Sequence, residues 1–293
     1  MDLEQSAFEA LRFASAQSLK LYKQPLLITY SGGKDSDVLL RLAENSGITF
    51  EVSHSLTTAD APETVRHVRD TFRRMEEKGV KCVIDAHVQP DGSRLTMWNL
   101  IPKHLAPPTR IVRYCCAVLK EGDGKGRFIA TGVRWAESVR RKNSRGLIEV
   151  SNRDKNKRLI LMDDNDETRM QFENCQMKGR RVVNPIIGWC NKEVWDYAET
   201  EKICMNPLYG CGHTRVGCIG CPLASKRARI EEFIIWPKYK QAYIRAFDRM
   251  LEMKRMAGKS GNWQTGVDVF NWWMENDVLP GQEVLEEFRE DLI

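Results

Sequence analysis

The sequence lacks any apolar run close to the ~20 residues that a membrane-spanning helix needs, which excludes a protein with helical membrane spans. It also lacks the basic-then-apolar pattern of a secretory leader, because acidic residues such as Asp2 and Glu4 occupy its N-terminus. We therefore expect a cytoplasmic protein that makes no contact with a membrane. No internal repeat is visible.

The Walker signature GxxxxGK[ST] is absent as well, which excludes that type of nucleotide site. A different glycine loop is present, in which residues 31–36 read SGGKDS directly after an apolar, β-prone run at 26–30. The pattern predicts a strand, a tight glycine loop and the start of a helix. Backbone N–H groups and the helix dipole make such a corner an anion site. A plain turn is the alternative, but the lysine and two serines beside the glycines favour a phosphate, and so a nucleotide.

The composition is that of a globular protein, with 42% hydrophobic residues in a chain of 293, enough for one sizeable core. The net charge is only +5, but the basic residues are clustered. The clusters lie at residues 134–145, 153–158, 180–181 and 226–229. Clustered cations indicate an anionic partner, either a nucleotide or a nucleic-acid backbone. A solvated surface of mixed charge is the alternative.

Strand-like and helix-like segments alternate, which predicts an α/β fold with a doubly wound parallel sheet and a helical C-terminal extension. Predicted strands lie at 26–30, 49–54, 80–85, 128–131 and 184–189, and predicted helices at 2–23, 38–46, 62–78, 110–120, 192–202, 230–257, 266–276 and 281–292. Residues 86–109 read as loop, and residues 142–182 as a polar excursion with a small hairpin at 158–162. We expect a nucleotide-binding domain at 1–225, which includes the cysteine pairs, and a helical extension at 226–293.

Two further segments follow predicted strands, at the sheet edge where doubly wound folds bind ligands. The first contains Thr58 and Asp60, and the alternative role of Asp60 is to cap the next helix. The second contains Gly132, Arg134, Glu137, Ser138 and Arg141. Arginine offers several planar donors to phosphate or sulfate, although a helix start with exposed arginines would show the same pattern.

Nine cysteines are many for a chain without a secretion signal, and they favour metal or cluster ligands over disulfides. Cys115 and Cys116 are adjacent, and Cys218 and Cys221 form a Cys-x-x-Cys pair. Adjacent thiols on a helix cannot both face one ion, whereas an iron–sulfur cluster has corners far enough apart to accept them. A tetrahedral zinc and free thiols remain alternatives. Cys211 is a surplus thiol, and it is a fifth candidate ligand, a sulfur carrier or a bystander.

Over roughly residues 20–225 the sequence resembles the phosphoadenosine phosphosulfate (PAPS) reductase family of the adenine-nucleotide α-hydrolase superfamily. The segments that carry the resemblance are SGGKDS, TTADAPET, RYCCAVLK, GVRWAES, NPIIGWCNKEVWDY and NPLYGCGHTRVGCIGCP. The resemblance implies a Rossmann-like fold and a pyrophosphate-binding loop at residues 31–36. It also implies that Cys115, Cys116, Cys218 and Cys221 hold a [4Fe-4S] cluster.

The sequence departs from the sulfonucleotide reductases of this family, which carry a catalytic cysteine in a Glu-Cys-Gly-hydrophobic-His tail. Here the sequence ends EEFREDLI, and its last cysteine is Cys221. The tail nucleophile is therefore expected to be missing, and thiolate chemistry needs a thiol. What remains resembles the branch that activates with ATP and handles sulfur, which includes proteins of DNA phosphorothioation and phage-encoded relatives.

These observations predict an ATP pyrophosphatase-type sulfurtransferase. The loop residues Ser31, Gly32, Gly33, Lys34, Asp35 and Ser36 would hold the pyrophosphate. Lys34 and Arg134 would stabilise the charge of the transition state. Asp35 or Asp60 would bind Mg²⁺. Cys211 is the candidate thiol for sulfur relay.

Two other functions are compatible with the sequence. One is an assimilatory reductase of adenylyl sulfate that uses another thiol, such as Cys211. The other is a non-enzymatic, nucleotide-gated subunit that docks on a DNA-modifying partner. Beyond the adenine nucleotide itself, the expected partners are DNA or a DNA-modification protein, a cysteine desulfurase as sulfur donor, and further copies of the chain in a homo-oligomer.

Overall fold

A computed structural model describes residues 2–89, 91–120, 124, 126–152, 158–163, 179–259 and 261–275. The described residues form two compact units. Unit 1 is drawn from Met1–Ser55, Pro62–Asp85 and Asp123–Val216, and unit 2 from Leu56–Ala61, Ala86–Gly122 and Gly217–Ile293. Among these residues, no helix has the length and apolar character needed to cross a bilayer.

Unit 1 is built around a sheet of seven strands. In chain order they are β1 (Leu26–Thr29), β2 (Phe50–Ser55), β3 (Cys82–Asp85), β4 (Phe128–Ala130), β5 (Ile148–Asn152), β6 (Arg158–Leu161) and β7 (Gly179–Val183). Their order across the sheet is β3-β2-β1-β4-β7-β5-β6. The strands from β3 to β7 in this order are parallel, and β5 and β6 extend the edge as an antiparallel pair.

The helices flank the sheet in unit 1 and make up most of the regular structure of unit 2. Those of unit 1 are α1 (Leu3–Tyr22), α2 (Lys34–Asn45), α3 (Pro62–Glu77), α6 (Val139–Ser144), α7 (Asn191–Thr200) and α8 (Pro207–Gly210). Those of unit 2 are α4 (Met97–His104), α5 (Tyr114–Leu119), α9 (Lys226–Ile235), α10 (Pro237–Met256) and α11 (Gly266–Glu275).

The core of unit 1 follows from the composition of its central strands. Every residue of β4 is fully buried, and β1 contributes Leu26 and Ile28. Such continuous apolar runs are typical of parallel strands that are covered on both faces. Helix α1 packs against this region through small residues, including Ala10 and Ala14, which allow a close approach. The predicted α/β class with a parallel sheet is thereby confirmed.

One predicted strand is wrong. Residues 184–189 form turns, closed by a hydrogen bond from the Ile187 N–H to the Asn184 carbonyl at 3.0 Å. The strand lies just before them, at β7, which begins Gly-Arg-Arg. Most of β7 falls within residues 142–182, which the sequence predicts to be a polar excursion. The apolar character of Ile186 and Ile187 reflects burial in the core without strand pairing.

Three other predictions need correction. Helix α4 lies in the segment 86–109, which the sequence predicts to be a loop. Thr96 and Asn99 cap its first turn with reciprocal hydrogen bonds, and this stabilises the helix despite its internal Pro102. The helix predicted at 230–257 is two helices, because the chain breaks at Trp236 before Pro237. The polar excursion at 142–182 contains β5, β6 and the end of α6. The helix predicted at 281–292 lies outside the described residues.

The core of unit 2 is aromatic and contains one buried cation. Trp273 is fully buried and packs against Tyr243, with ring centroids 4.7 Å apart. The Arg229 guanidinium lies over the same indole at 4.2 Å from its centroid, a cation–π contact. The indole N–H donates to the Pro108 carbonyl at 2.6 Å. These contacts fix α9, α10 and α11 around one side chain.

Candidate functional site

The glycine loop lies at the topological switch point of the sheet. From β1 the chain moves outward to β2 and β3, and it then returns to β4 on the other side of β1. The crevice at the carboxyl ends of β1 and β4 is where such folds bind ligands. Residues 31–36 follow β1 directly, and residues 132–141 follow β4, so the structure brings these two predicted segments to one edge of unit 1.

Backbone geometry explains the glycines of the loop. Gly32 has φ +75°, and a Cβ there would lie 3.0 Å from Val68 Cγ2. A Cβ on Gly132 would lie 2.9 Å from the Asp35 carbonyl oxygen. Ser36 closes the loop, because its hydroxyl donates to the Gly33 carbonyl at 2.7 Å and accepts the Gly33 N–H at 3.1 Å.

Asp35 is held between two cations. Its Oδ2 pairs with Lys34 Nζ at 2.8 Å, and its Oδ1 pairs with Arg134 Nε at 2.7 Å. The Arg134 side chain is 1% exposed, and it also donates to the Trp189 carbonyl at 3.0 Å and to Asn191 Oδ1 at 2.8 Å. Arg134 is therefore a buried brace that ties the start of α2 to the segment after β7.

The rest of the arginine segment forms a rim that is partly open to solvent. Glu137 accepts the Arg134 N–H at 3.0 Å and pairs with Arg141. Ser138 caps α6 by accepting the Arg141 N–H at 3.2 Å. Partial burial, followed by the charges of Arg145 and Arg215, lowers the pKa of Arg141. Cations held this close together favour an anion between them.

Sequence reasoning missed two loop contacts that come from residues 206–209. Asn206 Nδ2 donates to the Gly32 carbonyl at 2.8 Å, and the Lys34 N–H donates to the Tyr209 hydroxyl at 2.9 Å. The only sequence signal near these contacts is the segment NPLY, in which an asparagine followed by proline predicts the start of a helix. Cys211 is exposed and follows Tyr209 by two residues, in the same unit as the loop.

The four cysteines of the predicted cluster all belong to unit 2. Cys115 and Cys116 lie on α5, whereas Cys218 and Cys221 lie on the loop that leads to α9. A hydrogen bond with Cys116, burial, and the charges of the other three thiols raise the pKa of Cys115. Burial raises the pKa of Cys218 to about 11. The four thiols are thus electrostatic neighbours, as common ligands of one group would be.

Thr58 and Asp60 also belong to unit 2, beside the second cysteine pair. Asp60 Oδ2 accepts the Thr57 N–H at 3.1 Å and the Thr57 hydroxyl at 2.7 Å. The thiol of Cys218 lies 3.4 Å from that hydroxyl. Thr58 has φ +64°, and its hydroxyl accepts the Met97 N–H at 3.0 Å. In this arrangement Asp60 lies beside the cysteine loop, where it forms a β-bridge with Cys218.

The loop between the second pair of cysteines is tightly constrained. Gly220 has φ +70°, and its N–H donates to Glu232 at 2.6 Å. The Tyr243 hydroxyl donates to the Ile219 carbonyl at 3.0 Å. Within the described residues, no three His, Cys, Asp or Glu side chains converge tightly enough to hold a single metal ion.

Comparison with known proteins identifies the domain. Residues 25–224 match the sequence model of the phosphoadenosine phosphosulfate reductase domain. An uncharacterized protein of Methanocaldococcus jannaschii is 28% identical over 201 residues, which cover 68% of this chain and 36% of that protein. An adenosine 5'-phosphosulfate reductase of Bacillus mycoides is 26% identical over 210 residues, which cover 69% of this chain and 75% of the enzyme.

Among solved structures, the phosphate complex of phosphoadenylyl-sulfate (PAPS) reductase from Candida auris is similar, with a TM-score of 0.44 and 16% sequence identity. The match covers 72% of this chain and 87% of that chain.

Proposed function

This chain belongs to the phosphoadenosine phosphosulfate reductase domain family, and we propose that it binds ATP at the carboxyl ends of β1 and β4 and cleaves it between the α and β phosphates for sulfur transfer. The observation that carries the proposal is the SGGKDS loop at the switch point, where the first amides of α2 and the Lys34 side chain lie together. In the reaction an acceptor oxygen attacks the α phosphorus, the bond to the β phosphate breaks, and pyrophosphate leaves.

Phosphate binding would use groups that the loop already presents. Ser31 is exposed, and its hydroxyl, which donates to Ser36 Oγ at 3.2 Å, would turn to the phosphate. The helix start adds backbone N–H groups and the positive end of its dipole. Lys34 is the lysine of the loop, and its only ion pair among the described residues is with its neighbour Asp35, at 2.8 Å. An incoming phosphate would compete for Lys34, which then stabilises the leaving pyrophosphate.

The sequence predicts that Arg134 stabilises the charge of the transition state directly, but its position in the structure supports an indirect role. It is buried and keeps Asp35 paired when Lys34 turns to the phosphate, so no lone carboxylate is left beside an anion. The cations nearer to solvent are those of the rim: Arg215 is exposed, whereas Arg141 and Arg145 are partly buried and pair with Glu137 and Glu149. They would bind the distal phosphates or the acceptor, and they are the more direct contributors to charge stabilisation.

Direct binding of Mg²⁺ by Asp35 would require Lys34 or Arg134 to withdraw, because each of its oxygens is already paired with a cation. Asp60 is engaged with Thr57 through one oxygen and lies beside Cys218 with the other. Neither carboxylate fits the ion in this structure. The proposal therefore leaves Mg²⁺ on the nucleotide phosphates.

The donor set of unit 2 fits a [4Fe-4S] cluster held by Cys115, Cys116, Cys218 and Cys221. The four thiols are close enough to influence one another electrostatically, as the ligands of one cluster would be. Ligated by four thiolates, such a cluster supplies structural and electrostatic stabilisation and leaves no iron open. Sulfur relay would then fall to Cys211, which is exposed.

The test is to incubate anaerobically purified protein with α-labelled ATP and to separate the products. Formation of AMP and pyrophosphate supports the proposal, and ADP with phosphate, or no turnover, contradicts it. Lys34→Met should lower the rate by at least ~10²-fold, as loss of one donor to a developing charge does elsewhere. Lys192→Met is the matched control, because that lysine is exposed and, among the described residues, its ion pair is with Asp196 on its own helix. Iron and sulfide counts on the same sample test the cluster.

A reductase of adenylyl sulfate is the second candidate, and the similarity to an adenosine 5'-phosphosulfate reductase favours it. The same nucleotide site would serve, and a thiol such as that of Cys211 would attack the sulfate sulfur and release AMP. Sulfite release from adenylyl sulfate with thioredoxin, at rates above ATP turnover, would establish this reaction. ATP binding without pyrophosphate release would instead indicate a nucleotide-gated subunit.

The wider pathway is also part of the proposal. A cysteine desulfurase would supply the sulfur, and DNA or a DNA-modifying protein would receive it, as in phosphorothioation. Sulfur from labelled cysteine should then appear in the acceptor only when ATP and the desulfurase are both present. Transfer that proceeds without ATP would contradict the activation step.

A further inference from the structure

The hydroxyl of Tyr209 lies directly beside the phosphate loop. It accepts the Lys34 N–H at 2.9 Å, and a Cβ on Gly33 would lie 3.4 Å from the same oxygen. This N–H belongs to the first residue of α2, so it is one of the donors that an anion at the helix start would meet. A side chain from a distant part of the sequence thus reaches the point where phosphate is expected.

The hydroxyl still has its own proton to donate. A phenol oxygen can accept two hydrogen bonds and donate one. One acceptor position is taken by the Lys34 N–H. Burial raises the pKa of Tyr209 to about 12, so the hydroxyl keeps its proton at neutral pH. Among the hydrogen bonds of the described residues, none has this O–H as its donor.

We propose that Tyr209 is a phosphate-binding residue, whose O–H donates to a phosphoryl oxygen of the nucleotide held by the loop. This inference rests on the proposed function and adds a residue to its binding site. A phosphoryl oxygen accepts hydrogen bonds, so it complements a hydroxyl whose proton has no acceptor among the described hydrogen bonds. The Lys34 N–H that binds the phenol oxygen polarises the O–H and makes it a better donor.

The surroundings hold the tyrosine in place for this contact. The Trp195 ring packs edge-on against the Tyr209 ring, with centroids 5.2 Å apart. Asn206 begins the same short helix and is tied to the Gly32 carbonyl at 2.8 Å. Residues 206–209 are therefore tied to the loop at both ends, and the exposed thiol of Cys211 follows Tyr209 by two residues.

The experiment measures binding of three probes to the full chain by titration calorimetry: ATP, inorganic pyrophosphate and adenosine. Tyr209→Phe removes only the hydroxyl and should raise the dissociation constants for ATP and pyrophosphate about tenfold or more, since the lost bond is to a charged group. Adenosine carries no phosphate, so its affinity should not change. Tyr197→Phe is the matched control, because the hydroxyl of Tyr197 contacts Asn45, away from the loop.

The outcomes separate the two proposals. If the unsubstituted chain binds ATP and Tyr209→Phe binds ATP and pyrophosphate equally well or more tightly, Tyr209 only competes for the Lys34 N–H, and this inference is overturned. An equal loss for all three probes shows a structural role and also overturns it. If the unsubstituted chain binds neither ATP nor pyrophosphate, the proposed function fails together with the inference.

Discussion

Replacing Gly132 by alanine tests whether the two loop segments share one crevice. The new Cβ would lie 2.9 Å from the carbonyl oxygen of Asp35 and 3.0 Å from its carbonyl carbon. These are backbone atoms in the first turn of α2, so no side chain can turn away to make room. The φ of Gly132 is outside the left-handed region, so backbone strain at the substituted residue itself adds nothing.

The expected cost is that of inserting one methyl group into a packed site, about 1–3 kcal/mol in the free energy of unfolding. Because the contact pushes on Asp35, the loop that precedes it should shift by a few tenths of an ångström. We expect ATP affinity to fall roughly tenfold, since small misplacements of binding groups are costly. Urea unfolding and calorimetric titration with ATP measure the two effects.

Gly188→Ala is the matched control for this experiment. Its Cβ would meet only Trp135 Cζ3, at an ordinary distance of 3.8 Å, and its φ is also outside the left-handed region. If Gly132→Ala behaved like Gly188→Ala in both stability and affinity, the close approach of the segment after β4 to the loop would be refuted.

Three other substitutions test separate parts of the structure. Arg134→Lys keeps the charge but loses the fork of buried hydrogen bonds, so urea unfolding should show a loss of about 1–3 kcal/mol; an unchanged midpoint would contradict the brace. Gly220→Ala would place a Cβ against the Phe233 ring, at a residue with φ +70°, and it should lower the iron content of anaerobically purified protein. Gly217→Ala is the control, because its Cβ would lie in open space, and it should keep the iron. Equal iron in the two variants would count against the cluster. Burial raises the pKa of the Cys82 thiol to about 12, whereas in the unfolded chain it is about 8.5. The contribution of this shift to the free energy of unfolding is therefore fully present below about pH 8.5, and it is lost as the pH rises toward 12. Replacing Cys82 by alanine should flatten the alkaline fall in stability, and an identical pH profile would refute the shift.

The fold was predictable where local signals agreed with tertiary packing. The apolar run of β1, the glycines of the loop and Pro62 at the start of α3 each gave the right element at nearly the right residues. Prediction failed where a buried apolar residue does not lie in a strand, or where a charged residue does. Ile186 and Ile187 are buried in turns, and Arg181 pairs in β7 while its guanidinium lies over the ring of Tyr22.

The candidate site was predictable in its motifs but not in its contacts. Residue types and spacing predicted that the glycine loop and the segment around Arg134 follow strands, and the structure has them after β1 and β4. They did not reveal that Arg134 is buried against Asp35, or that Tyr209 reaches the loop. Those contacts join residues about 100 and 175 positions apart, and a single sequence carries no local signal for such pairs.

The division of the chain into interleaved units has a consequence for how the protein can be made and dissected. The chain passes from one unit to the other after residues 55, 61, 85, 122 and 216. Because each unit consists of three separate segments, no single truncation point yields either unit intact. Deleting the C-terminal segment, for example, removes part of unit 2 and leaves its other two segments between residues 56 and 122. During synthesis, unit 2 stays incomplete until residues beyond 217 leave the ribosome, so Cys115 and Cys116 are made long before Cys218 and Cys221 can join them.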